Sequence, residues 1–331
     1  MNSRMGNGAA LLEDVLMPGL PIVDPHVHLW NLRGYDYFAP DLLADVHSGH
    51  NVEATIYVEC GMGKSSDPRV EFQPVAETEF VLEQVKFAQG TDHDLAAGIV
   101  GGGNLRWGKR ILPILEAHIA AGKGRFRGIR GFVAYHPDPA VGYPAIPRYA
   151  QGNVIKSDAF LEGARCLAEL GLVLDLWGFH TQLGDMADFA TKCPELPILI
   201  NHCGGPLGIG PYAGRREEVF ADWAAGLRRV AALPNVHVKL SGLGMGRMGF
   251  HFEGGQAKTS DELVAAWKPY VETCVDVFGP ARSIFASNFP VDREAASYRT
   301  LINAYKKMLS YLPDHDLKAV FAGNARRFYK I

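Results

Sequence analysis

Two histidines one residue apart, His26 and His28, stand in the run Val23-Asp24-Pro25-His26-Val27-His28. Residues two apart on an extended strand share a face, so Asp24, His26 and His28 are expected to point the same way. Three polar side chains on one buried face are costly without a purpose. Paired imidazoles can each give a ring nitrogen to one divalent ion, zinc typically at about 2.0 to 2.1 Å. An H-x-H pair alone is a weak signal. His202, in Ile200-Asn201-His202-Cys203-Gly204-Gly205-Pro206, ends another apolar run just before a glycine turn and can approach the same centre. Lys239 and Ser241 share a face of Val238-Lys239-Leu240-Ser241, as do Asp175 and Trp177 on a further run. These four can line a cavity and bond a substrate; buried structural hydrogen bonding and packing is the alternative.

Such residues need a scaffold that gathers strand ends. Eight short apolar runs rich in β-branched residues recur, at 22–28, 54–60, 95–100, 128–133, 173–178, 198–202, 236–241 and 283–287. Helical patterns separate most of them, near 75–89, 112–121, 158–170 and 298–309. A capping box at Thr259-Ser260-Asp261-Glu262 opens another, running towards Val277. Val219, Phe220, Trp223, Leu227 and Val230 recur at helical spacing and form one buried face. Strand–helix alternation of this kind predicts an α/β protein with a parallel sheet, either doubly wound or closed as a (β/α)8 TIM barrel. His28, Glu59, Arg130, His202, Ser241 and Asn288 all fall at or just past strand ends, which favours the barrel. Residues 1–20 are expected to form an N-terminal tail and residues 21–331 one barrel domain. The proline-rich stretch 134–157 and the glycine-rich stretch 242–256 read as long strand-to-helix loops walling the site, surface insertions being the alternative.

Composition narrows the function classes. Hydrophobic residues make up 47% and charged residues 21% of 331, enough for a large core. With 33 basic against 36 acidic residues and no basic stripe, neither nucleic acid nor a membrane surface is an expected partner. Five cysteines without a C-x-x-C pair, and no apolar leader in the first residues, predict a reduced, cytoplasmic protein. The expected partner is a small-molecule substrate, with a homo-oligomer open.

The chain resembles the amidohydrolase superfamily, within it the amidohydrolase-related branch of TIM-barrel lactonases, hydrolases and decarboxylases. The likeness is carried by VDPHVHLW at the first strand, GIRG around Arg130, INHCGGP around His202, VKLSGLG around Ser241, SNFPVD from Ser287 to Asp292, and the closing GNARRFY. It implies a mononuclear or metal-free site. Binuclear relatives place a carboxylated lysine on the fourth strand, where this chain has Arg127-Gly128-Ile129-Arg130-Gly131. An arginine there in lactonase-like relatives implies that Arg130 holds a substrate carboxylate bidentately, a structural salt bridge being the alternative.

The resemblance also places Asn288 where most members carry an aspartate as metal ligand and proton acceptor, and an amide cannot take a proton at neutral pH. Glu59 and then His180 are the substitutes, with an ion pair and a helix-start role as their respective alternatives. The implied catalyst is one divalent ion, zinc first, held by His26, His28 and His202, or in its absence direct polarisation of the substrate carbonyl by these residues. The implied reaction is opening of a lactone or related cyclic ester or amide of a small carboxylated metabolite. Non-oxidative decarboxylation of an aromatic acid, a metal-free lactonase, and a barrel that only binds a metabolite are the alternatives.

Overall fold

The computed structural model describes residues 13–32, 34–142, 152–252 and 257–331. Eight parallel strands follow one another around a single sheet in chain order: β1 (Ile22–Val27), β2 (Val52–Val58), β3 (Asp94–Gly101), β4 (Phe126–Phe132), β5 (Val173–Trp177), β6 (Ile198–Ile200), β7 (Val236–Leu240) and β8 (Ser283–Phe285). Helices α1 (Ala39–Val46), α2 (Val75–Val85), α3 (Leu112–Ala121), α4 (Asp158–Glu169), α5 (Leu183–Thr191), α6 (Arg216–Ala231) and α7 (Ser260–Phe278) alternate with them, and α8 (Tyr298–Leu309) follows β8. This is the (β/α)8 barrel. All strands but β3 stop one or two residues short of their expected ends, which leaves His28, Glu59, His202, Ser241 and Asn288 just beyond the ladder, free of its geometry.

The ring is nearly closed. β1 and β8 meet through one parallel bridge, Val27 with Phe289, and through the His28 N–H donating to Phe289 O at 2.8 Å. The Asp24 carboxylate completes the seam, accepting from Ser287 N at 2.9 Å and from the Tyr298 hydroxyl of α8 at 2.9 Å. Asp24 therefore serves the seam and does not share a task with His26 and His28; a register shift between Asp24 and Val27 breaks the expected alternation.

Inside the barrel Val23, Ile56, Val58, Ala97, Val100, Val173, Leu199 and Ile284 form a buried apolar layer that Phe328 and Tyr329 of the last helix, α9 (Asn324–Tyr329), plug from the N-terminal end. Outside it, Val219, Trp223, Leu227 and Val230 of α6 pack inward as their spacing predicts, with Phe220 half-buried. Of the expected tail, residues 13–17 are docked on α8: Asn303 and Lys306 bind the backbone carbonyls of Asp14, Leu16 and Met17. The long loops each carry one short turn, Val154–Lys156 and Gly246–Met248; their residues 143–151 and 253–256 lie outside the described residues. No described helix is long and apolar enough to cross a membrane.

Candidate active site

His26, His28 and His202 meet at the C-terminal mouth of the barrel. The His26 ring centroid lies 4.9 Å from that of His28 and 4.5 Å from that of His202. None of the three is more than 3% exposed. His202 reaches the centre because the backbone turns left-handed at His202 and Cys203, with φ of 55° and 51°. Gly242 makes room for it: a Cβ there would sit 2.5 Å from the His202 ring.

Each ring has a distinct partner. The His28 Nδ1–H donates to Val58 O at 2.7 Å; a carbonyl can only accept, so in the neutral ring the lone pair is on Nε2. His202 Nδ1 lies 2.9 Å from Ser241 Oγ, and Trp177 packs edge-on against the same ring at 4.8 Å. His26 Nδ1 lies 3.2 Å from Lys239 Nζ, while its Nε2 is buried without a hydrogen-bond partner among the described residues. Burial, then the positive charge of Lys239, holds His26 and His202 well below the usual imidazole range, so both rings are neutral near pH 7.

Of the two readings of Lys239, a substrate contact or a buried structural residue, its surroundings favour the second. Its side chain is 0% exposed and lies beneath His26. There it donates to Asp175 Oδ2 at 2.6 Å, Pro25 O at 3.0 Å and Tyr329 Oη at 3.1 Å. The Tyr329 hydroxyl donates to Asp175 Oδ1 at 2.7 Å. Trp177 and Ser241 also contact His202 and do not line the neighbouring cavity.

A cavity of about 430 Å³ opens at the ends of β2, β3 and β4, and none of His26, His28 or His202 is in its wall. Glu59, Arg130, Gln73, Asn104, Trp107 and Phe132 are in its wall. Glu59 and Arg130 pair with each other: Arg130 Nε donates to Glu59 Oε1 at 2.8 Å and Nη2 to Glu59 O at 2.5 Å, with side-chain exposures of 5% and 9%. Glu59 is thus an ion-pair partner before it is a base, and Arg130 is already engaged by a carboxylate. His180 stands apart, its Nδ1 accepting from Leu207 N at 3.3 Å and its ring against Tyr212; burial lowers it to about 4. Asn288 is buried, and its amide donates to Asp292 Oδ1 at 2.8 Å.

Two supporting residues escape sequence reasoning. Glu77 accepts from the N–H groups of Cys60, Gly61 and Met62 and from the Tyr57 hydroxyl, fixing the loop after β2. Tyr329 reaches the barrel interior from the chain terminus, and only its membership of the closing motif marked it.

A shared divalent ion would need a bare nitrogen from each imidazole. His28 offers one. His26 does not fit, because the Lys239 ammonium already holds its Nδ1 and a second cation on the same neutral ring is opposed. Among the described residues no three His, Cys, Asp or Glu side chains are gathered to hold an ion.

A family model described as Amidohydrolase matches residues 23–331. An uncharacterized protein of Sinorhizobium fredii is 30% identical over 95% of this chain and 100% of its own length. An L-fucono-1,5-lactonase of Burkholderia multivorans is 27% identical over 93% and 96%. Among solved structures, an amidohydrolase from Burkholderia multivorans with bound zinc superimposes with a TM-score of 0.71 at 25% identity, covering 94% of this chain and 99% of the other.

Proposed function

Because the chain belongs to the amidohydrolase family and is a hydrolase, we propose that it opens the ring of a small lactone. The observation that carries this reading is the convergence of three enclosed imidazoles, with His28 keeping its Nε2 as a proton acceptor. In the proposed reaction water attacks the lactone carbonyl while His28 Nε2 takes its proton. The ester C–O bond then breaks, and the ring oxygen leaves with that proton to give a hydroxy acid. The neutral His26 and His202 rings flank the reacting carbonyl.

The lactonase relative supports the reaction type. The cavity walled by Glu59 and Arg130 is within the size range of small-molecule sites. Arg130 is engaged by Glu59, so a substrate acid group would have to displace that carboxylate. No step is assigned to a divalent ion, since His26 does not fit one.

The test is a panel of sugar and aliphatic lactones followed with a pH indicator. One acid equivalent per ring opened, without gas, is expected for a hydroxylated lactone. Carbon dioxide released from aromatic acids, with every lactone left intact, overturns the reading.

A further inference from the structure

We propose that Lys239 is a positioning residue that holds His26 as an Nε2–H donor, so that His26 and His28 meet the substrate with opposite proton roles. This deepens the lactonase reading and rests on it for the identity of the substrate, though not for the proton positions.

The argument is a count of protons. An ammonium has three hydrogens and no lone pair. Lys239 Nζ faces four groups, Asp175 Oδ2, Pro25 O, Tyr329 Oη and His26 Nδ1, so its three hydrogens are shared among four acceptors and none is left that could tolerate a further donor. Tyr329 spends its own hydrogen on Asp175 Oδ1, so its oxygen can only accept from the lysine. Burial lowers the Lys239 ammonium from the usual lysine range, and the ion pair with Asp175, 0% exposed and 2.6 Å away, acts against that and favours the charged form. A ring N–H aimed at that ammonium from 3.2 Å would set two positive hydrogens against each other with no water between them. His26 Nδ1 is therefore bare, and the neutral ring carries its hydrogen on Nε2.

Across the ring, Nε2 has no hydrogen-bond partner among the described residues although it is wholly buried. Such a donor costs free energy unless something accepts from it. The oxygen of a substrate carbonyl is the group it lacks, and a preorganised N–H gains most as that oxygen becomes an oxyanion. His28, 4.9 Å away, has the reverse arrangement, with Nδ1–H bound to Val58 O and Nε2 bare. Two imidazoles of identical chemistry are thus split into donor and acceptor by what lies behind each: a lysine behind one, a carbonyl behind the other. Tyr329 and Asp175 hold the lysine in place from the barrel floor, which gives the last helix a part in the site at the opposite mouth.

The experiment is nitrogen-15 NMR of the ring nitrogens in the wild-type protein, with His26 and His28 assigned from the His26→Gln and His28→Gln spectra. The expected result is a protonated Nε2 and bare Nδ1 at His26, and the reverse at His28. A protonated Nδ1 at His26, or a doubly protonated ring, overturns the proposal. In Tyr329→Phe, which keeps the Lys239–Asp175 pair, the His26 pattern should persist; in folded Lys239→Met it should become a mixture of tautomers. For Lys239→Met, kcat on an accepted lactone should fall by about a hundredfold while KM changes little, as for loss of an oxyanion donor. A protein with the expected tautomers that opens no lactone refutes the substrate reading and leaves this assignment standing.

Discussion

His28 Nδ1 lies 2.7 Å from the carbonyl oxygen of Val58, the last residue of β2, so a strand end rather than a side chain decides which nitrogen of His28 is basic. Glutamine in its place retains a polar amide and loses the proton acceptor. His28→Gln should lower kcat on an accepted lactone by about 10²- to 10⁴-fold, with the circular dichroism spectrum unchanged. Unaltered turnover would remove His28 from the chemistry.

Exhaustive dialysis against a strong chelator should leave lactone turnover and Tm where they were, because Lys239 holds the nitrogen side of His26 that a coordinated ring would need protonated. A loss of activity restored by zinc would show that the ring and the lysine rearrange around an ion.

Ser241 touches His202, at 2.9 Å, rather than the cavity. Ser241→Ala removes the partner of one ring nitrogen, worth about 1 kcal/mol or somewhat more. Turnover should drop by roughly tenfold with substrate affinity nearly constant. A large rise in KM instead would assign Ser241 to substrate.

Asp292 is wholly buried, accepting from Asn288 Nδ2 at 2.8 Å and Gly244 N at 3.3 Å, and burial pushes its carboxyl up to about 7. Unfolded, it ionises near 3.8. Between those values the folded state keeps a proton that the unfolded state has lost, so this group's contribution is full below about pH 4 and declines as pH rises to about 7, by at most about 4 kcal/mol. In Asp292→Asn that decline should vanish, and the Tm difference between variant and wild type should move in the variant's favour from pH 4 to 7. A difference independent of pH would mean that Asp292 is ionised throughout.

How much of this was legible beforehand depended on the range over which each signal acts. The eight strands and the helices of 75–89, 112–121, 158–170, 259–277 and 298–309 announce themselves through local periodicity and caps, and Thr259 does accept from Glu262 N as its motif predicts. Helices α1 and α5 went unread; α1 is eight residues long and begins at Ala39-Pro40, too short for a periodic stripe. The three histidines were legible as a group because strand ends of a barrel converge. Their differences were not: Val58 O, Lys239 and Ser241 are 30, 213 and 39 residues from the rings they touch. Lys239 and Asp175 lie on the faces expected of them, but the depth along the barrel at which a side chain sits depends on strand stagger, which one sequence does not display. Glu59 and Arg130 were each assigned a task facing a ligand; their pairing across 71 residues is equally nonlocal.

The seam between β1 and β8 has a kinetic consequence. Elsewhere neighbouring strands share ladders of at least three register pairs, whereas among the described residues one bridge, the His28–Phe289 hydrogen bond and the carboxylate of Asp24 join these edges. Amide hydrogens at His28 and Ser287 should accordingly exchange with deuterium sooner than those in β4 or β5, since local opening begins where fewest bonds must break at once. His26 and His28 ride on that edge, so whatever fraying the seam undergoes is felt first by the backbone that carries them.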